Sequence, residues 1–289
     1  MIFALVLLTS TILGLMIRRV GGTVCIAIHG LSRSAAHTHK SFDQFILRPL
    51  RSHHIDYDVY FHTWLPVAAT YNNFWSGEIN VNLSTTDYLD MPANHLQVET
   101  EIPLDAIPYL LHGDPWEKSV RQRGGNESRQ LEHIMYSLIS LHRVTQMWKS
   151  NPMCKTVLVM RPDSLFLHEL DVAWLATSEV LTPDFARWPI NDRFAIGPAA
   201  KMITYGERWT EAKAYAQHHP LHTEEFLAHI FKINGWSTEQ LIDFCFFRVR
   251  TNGLVVPEMG RSCETFVMNN RRTFSWVPAA FRPPQYRKL

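Results

Sequence analysis

The run Lys155-Thr-Val-Leu-Val-Met160 limits what this chain can fold into more than any other stretch. A continuous apolar segment with no polar alternation has no face to offer water, which marks a strand covered on both sides. Such strands belong to open α/β sheets, and those sheets carry their ligands at the strands' C-terminal ends. What this strand delivers there is Arg161-Pro162-Asp163. Proline forbids helix at Arg161 and fixes a turn that sends Asp163 outward. Two earlier runs support the same architecture. Thr23 to Ile28 (TVCIAI) predicts a buried strand opening into His29-Gly30, and Asp58 to His62 (DVYFH) predicts a second, stopped by Thr63-Trp64 and Pro66. Between them Phe42, Phe45, Ile46 and Leu50 share one face of a helix expected from Ser41 to about Ser52, with Ser41 as its cap. Strand, helix and strand make a βαβ unit.

The expected fold is therefore an α/β three-layer sandwich with a mostly parallel central sheet. In that sheet Thr23–Ile28, Asp58–His62 and Lys155–Met160 are neighbours. Helical spacing of Leu131, Ile134, Met135, Leu138, Leu141, Val144, Thr145 and Trp148 predicts a long helix over Glu127 to Lys149, ended by Asn151-Pro152. A weak strand is expected near His95 to Thr100. Further on come a helix-like stretch at Asp171 to Ala176, a strand near Val180 and a loop from Trp188 to Gly197. Helices are expected at Ala199 to Tyr215 and Thr223 to Ile233, and a last strand at Phe244 to Arg250.

A chain of 289 residues, 46% hydrophobic, can bury a core large enough to fold without staples. Its formal net charge of +1 and the lack of a long basic block leave no electrostatic footprint for nucleic acid. Cys25, Cys154, Cys245 and Cys263 have no Cys-x-x-Cys spacing, which argues against a zinc knuckle. Three of them sit in apolar runs, where cysteine acts as a small hydrophobe, and one disulfide is compatible with a secreted domain. Residues 1–19 read as an apolar N-terminal signal or anchor, with Ile2 to Ile17 nearly all apolar, and residues 20–289 as a single domain. Arg18-Arg19 after that run would put the domain on the cytoplasmic side, whereas the sequons at Asn82 and Asn126 suit an ER or Golgi lumen. Topology stays open.

Three clusters could carry chemistry. Asp163, at a strand end, can hold Mg²⁺ or Mn²⁺ when phosphates supply the remaining ligands. Asn191-Asp192-Arg193 precedes a short apolar run ending in Gly197. In His222-Thr223-Glu224-Glu225, Thr223 is expected to cap a helix whose acidic first turn also favours the helix dipole. The order R-P-D, then N-D-R-F-A-I-G, then an acidic helix start resembles WavE-like lipopolysaccharide transferases and related GT-A-like glycosyltransferases of algae, plants and large viruses. The resemblance also covers Val24 to Arg33 (VCIAIHGLSR), the helix from Asn126 to Ser140 with Arg129, Gln130 and Ser137, and Arg248-Val-Arg-Thr-Asn-Gly253. In that group R-x-D stands where classical enzymes have Asp-x-Asp.

The resemblance implies a GT-A-like fold and a nucleotide-sugar donor, with a glycan or lipid-linked acceptor and a Mn²⁺ or Mg²⁺ ion on Asp163. It places His29, Gly30, Arg33, His62, Trp64, Arg161, Asn191 and Arg193 around the nucleotide sugar. Glu224, Glu225 or Asp192 would then be the catalytic carboxylate if the enzyme inverts, and a retaining mechanism would make Glu224 and Glu225 sugar-binding residues. Arginine can meet phosphate in bidentate fashion and tryptophan can stack on a base, so the residue types suit these roles. Two rival readings remain. One is a carbohydrate- or nucleotide-binding protein on a decayed transferase fold. The other is an iron site at His54-Ile55-Asp56, which falls inside the βαβ unit and lacks a jelly-roll pattern around it.

Overall fold

The computed structural model describes residues 22–66, 70–73, 78–101, 127–185, 187–219, 221–256 and 263. The apolar segment Ile2 to Ile17 and the basic tail lie outside them. Five strands form the central sheet: β1 (Thr23–His29), β2 (Tyr57–Leu65), β5 (His95–Thr100), β6 (Cys154–Met160) and β9 (Phe194–Pro198). Their order is β5-β2-β1-β6-β9, with the first four parallel and β9 antiparallel to β6. The expected neighbours are thus neighbours, and β6 is an inner strand. The fold is α/β with a mostly parallel sheet.

Alternation along the strands builds the layers. Val24, Ile26 and Ile28 of β1 join Leu158 and Met160 of β6 in one buried cluster. That side packs against a continuous helical segment made of α1 (Ala35–Phe42), a π-helical turn (Asp43–Leu47) and α2 (Arg48–Ser52). Cys25 and Ala27 point the other way, with Val157 and Val159, toward α3 (Glu127–Lys149) and α4 (Ala199–Glu207). Gly206 lets α4 approach α3 closely, because a Cβ there would overlap the Thr145 side chain. A third cluster joins Trp64, the first half of α3, α5 (Trp209–Ala216) and α6 (Thr223–Ile233).

Small strands finish the cleft end of the sheet. β3 (Thr70–Asn73) pairs with β4 (Glu78–Asn82), β8 (Thr182–Pro183) with β10 (Leu241–Ile242), and β11 (Phe246–Val249) lies between β7 (Ser164–Phe166) and β12 (Val255–Val256). Cys25 bonds to Cys154 across β1 and β6, and Cys245 bonds to Cys263. The cysteines are therefore buried, as expected, but paired.

Several local expectations change. The helix after β1 begins at Ala35, so Ser41 is an internal residue and not a cap. Its hydroxyl donates to the Thr38 carbonyl and accepts the Phe166 N–H, which satisfies a strand donor that would otherwise be buried alone. β2 runs through Thr63 and Trp64 to Leu65, because β5 supplies partners as far as Leu65 opposite Thr100. Part of the loop expected at Trp188 to Gly197 is the edge strand β9. At α6 the N-cap is His222, without a side-chain bond, and the Thr223 hydroxyl goes to Asp192 instead. His54 and Asp56 are exposed in the turn between α2 and β2. No cluster of three metal-ligating side chains occurs among the described residues.

Candidate functional site

Four parallel strands deliver Gly30, Trp64, Glu101 and Arg161 to one cleft at their C-terminal ends. Its cavity volume is about 270 Å³. Gly30 has φ +110, a conformation glycine tolerates and L-residues rarely adopt. Its N–H donates to Ser140 Oγ at 2.7 Å, which fixes the loop against α3. The Arg161-Pro162-Asp163 turn is held from the helix side, where Thr38 Oγ1 donates to the Pro162 carbonyl at 2.6 Å.

Arginine dominates the walls. Arg33, Arg161, Arg248 and Arg250 all line the cleft, against one wall carboxylate among the described residues, Glu101. Arg248 and Arg250 reach it because β11 runs beside the RPD turn, with Val249 N–H donating to the Asp163 carbonyl at 2.9 Å. Two buried carboxylates stand behind the guanidinium groups. Asp163 accepts Arg161 Nε and Nη2 at 3.0 and 2.9 Å and Arg33 Nη2 at 3.3 Å. Glu78 pairs with Arg33 at 3.3 Å and Arg250 at 3.8 Å, and accepts the Thr251 N–H and hydroxyl. Burial alone would raise the Asp163 pKa, but Arg161, Arg33 and Arg248 hold it well below the carboxylate range. Arg33 is likewise held above its ordinary value by Tyr71, Asp163 and Glu78, against the opposing effect of burial.

This arrangement does not fit a divalent cation on Asp163. Both its oxygens are occupied by guanidinium groups, it is 1% exposed, and its charge is already balanced by arginine. A hard cation needs several oxygen ligands and gains nothing from neighbouring positive charge. No step below is routed through a metal.

The other residues singled out from sequence fall into different layers. Arg33 and Gly30 are in the cleft wall. Trp64 touches the wall but is 1% exposed, and its Nε1 donates to the Tyr136 carbonyl at 2.9 Å, so it anchors the core and offers no free face to a base. Tyr71, His133 and Tyr136 are the wall's other aromatic rings. His29 lies just behind the wall, where burial, Arg208 and Arg161 push its pKa down to about 3 against the pull of Asp192. Asn191 is wholly buried; it donates to the Phe185 carbonyl and accepts the Arg193 N–H, a turn-forming role. Arg193 pairs with Glu224 at 3.1 Å. Asp192 sits behind Thr223, a cleft residue. Burial would raise its pKa, but Arg193, Arg161, the Thr223 hydroxyl and Arg208 hold it lower. Glu225 is exposed on the outer side of α6.

His62 lies beneath the cleft, in an array that mimics a hydrolase. Its Nδ1 is 2.8 Å from Ser140 Oγ, and its Nε2 is 3.6 Å from Glu99. Yet Ser140 is fully buried, accepts the Gly30 N–H and donates its own proton to the His62 carbonyl at 3.0 Å. A hydroxyl committed in this way is a strut and cannot attack a substrate. Burial pushes the His62 pKa down to about 4, against Glu99.

Sequence reasoning passed over Tyr71, Glu78, Glu101, His133, Tyr136 and Arg208. One signal was available: His133, Ser137 and Ser140 form a polar stripe on an otherwise apolar helix face, at spacings of four and three. Glu78 and Glu101 lie in stretches without periodicity, and only strand pairing brings them in.

No protein-family profile matches the chain, and no curated protein matches it. Among solved structures it is similar to a glycosyltransferase involved in the glycosylation of the major capsid of PBCV-1. Identity is 10%, 76% of this chain and 80% of that chain are covered, and the TM-score is 0.38. A likeness of that degree carries no argument about the site, and the functional reading rests on the cleft's own geometry.

Proposed function

We propose that this chain is a glycosyltransferase acting on a nucleoside-diphosphate sugar and a hydroxyl acceptor. The observation that carries the reading is the cleft at the ends of four parallel strands, with four arginines and the rings of Tyr71, His133 and Tyr136 on its walls. A donor of this class presents a planar base, which aromatic rings can hold, and a diphosphate, which arginine forks match. In the reaction the acceptor oxygen bonds to the anomeric carbon. The carbon–oxygen bond to the diphosphate breaks, and its electron pair leaves with the phosphate oxygen. The acceptor's proton passes to a carboxylate.

Glu101, on the cleft wall, is the proposed proton acceptor. Asp192, kept ionised among arginines, orients Thr223, another lining residue of the cleft. Glu224 is engaged with Arg193 and Glu225 faces away, which leaves both outside the chemistry. No group of three ligand side chains for Mn²⁺ or Mg²⁺ lies among the described residues. Two disulfides favour an oxidising compartment such as the ER or Golgi lumen, in keeping with a glycan or lipid-linked acceptor. Membrane attachment through residues 2–17 is part of the same proposal. No helix among the described residues is long and apolar enough to cross a membrane.

The test is a panel of UDP- and GDP-sugars assayed for hydrolysis and for transfer to sugar acceptors. Turnover of at least one donor is expected. Glu101→Gln should cut that turnover by about a hundredfold or more while nucleotide binding persists. Nucleotide binding without turnover of any donor would replace the transferase with a binding module on the same fold.

A further inference from the structure

We propose that the diphosphate of the donor is held, and its charge neutralised on leaving, by the guanidinium groups of Arg161, Arg248 and Arg250, with no divalent cation. The inference rests on the nucleotide-sugar reading above and concerns how that ligand is bound.

The argument begins with hydrogen-bond donors that the protein leaves over. Arg161 spends Nε and Nη2 on Asp163, while its Nη1 makes no hydrogen bond among the described residues and the side chain is 26% exposed toward the cleft. Arg250 is 4% exposed, yet its Nε is buried with no hydrogen-bond partner among the described residues. Burying a charged donor without a partner costs more than a typical hydrogen bond returns, and Arg250, unlike Arg208 with its equally unpartnered Nε, lines the cleft where a ligand can supply one. Arg248 lies two residues from Arg250 on the same strand and lines the same cleft.

Charge points the same way. Among the described residues, Asp163 and Glu78 are the buried carboxylates behind four guanidinium groups and Glu101 is the one acid on the wall, so arginines outnumber acids there. The excess is felt within the cluster: burial, Arg248 and Arg33 together push the Arg250 pKa down to about 10. A diphosphate supplies the missing negative charge and several acceptor oxygens, and arginine meets them in bidentate pairs. As the anomeric bond breaks, the charge growing on the leaving oxygen meets fixed N–H donors in a partly dry cleft. That is the service a metal would otherwise perform. Asp163 is then a positioning residue that aims Arg161 and Arg33.

Calorimetric titration of the full chain with UDP, GDP and inorganic pyrophosphate, once in EDTA and once with manganese chloride, tests this directly. Binding of at least one nucleotide should persist in EDTA and change little with manganese. Arg248→Gln should weaken it by about tenfold or more. Arg161→Gln should do likewise, and Arg161→Lys should recover only part, since lysine restores charge without the fork. A melting curve on each variant separates lost binding from lost folding. Binding that needs manganese, or a folded Arg248→Gln protein that binds as tightly as wild type, overturns the inference. Pyrophosphate binding in EDTA beside undiminished nucleotide binding supports it. If diphosphates bind in EDTA but no sugar nucleotide is turned over, the transferase reading falls and the arginine site stands. Manganese-dependent turnover has the opposite outcome.

Discussion

Two arginine–carboxylate clusters sit side by side near the strand ends, and they are built from the same parts. One holds Arg33, Arg161, Arg248 and Arg250 over Asp163 and Glu78. The other holds Arg193 and Arg208 around Asp192 and Glu224, with neutral His29 between the two. The first opens into the cleft with guanidinium N–H groups left over. The second is closed off from the cleft wall: Arg208 is 3% exposed, donates to the Tyr205 carbonyl and lies over the Tyr205 ring, although its Nε too is buried with no hydrogen-bond partner among the described residues. Composition therefore does not separate a binding site from a scaffold. What separates them is whether the arginines line the cleft.

The sharpest way to break this comparison is Asp163→Asn. In the open cluster one carboxylate orients two arginines, so its loss leaves both guanidinium groups buried and unbalanced. A cost of about 3–5 kcal/mol is expected, read as a large fall in melting temperature. An unchanged melting temperature with activity alone abolished would instead make Asp163 an exposed ligand and return it to the metal role.

Acid should act through the closed cluster. His29 has its pKa pushed from 6.5 down to about 3, so between those values the unfolded chain binds a proton that the folded chain refuses. Stability must then fall as pH drops below about 6.5, at a limiting slope of about 1.4 kcal/mol per pH unit for one group. His62, pushed down to about 4 with Glu99 and Arg143 facing it, adds to the same window. Melting curves from about pH 7 to pH 4.5 should flatten in part in His29→Asn, leaving the shares of His62 and of His142 and His168, whose pKa values burial also lowers. A variant that melts with the wild-type pH dependence would mean that His29 is not held neutral.

Glu224→Gln tests whether the closed cluster is scaffold. Arg193 would lose the Glu224 carboxylate at 3.1 Å while keeping Asp192 nearby, for about 1–3 kcal/mol of stability. Donor turnover by the folded protein should stay near wild type. A loss of turnover comparable to that of Glu101→Gln would move the catalytic base to α6. Glu225→Gln is the smallest change. The residue is exposed, so stability should move by no more than about 0.5 kcal/mol and activity should hold.

How far these clusters could be read in advance differs residue by residue. Arg161 and Asp163 were legible because an apolar strand must end somewhere, and the residues after it sit at the sheet's functional edge. Their relationship was not legible: a carboxylate two residues from an arginine can bind a metal or neutralise its neighbour. The choice was made by Arg33, 130 residues away in sequence from Asp163. His62 shows the same limit. Its place at a strand end suggested a ligand contact, but α3 packs Ser140 against it and turns it into a strut beneath the loop.

The chain's own pattern determined the parallel core and the long helix. The run Cys154–Met160 and the apolar face of Glu127–Lys149 each had one arrangement that buries them without stranding backbone groups, and both formed as their periodicity required. It also determined that Gly30 would mark a turn at the end of β1. The tertiary structure alone decided which polar residues would be paired. Whether Asp163 is a ligand or a counter-ion, and whether Arg250 is satisfied or left with a spare N–H, depends on β11 lying beside the RPD turn and on Glu78 arriving from β4. Burial of apolar area follows local periodicity. The balance of a buried charge depends on every charge within a few ångströms, whatever the separation along the chain.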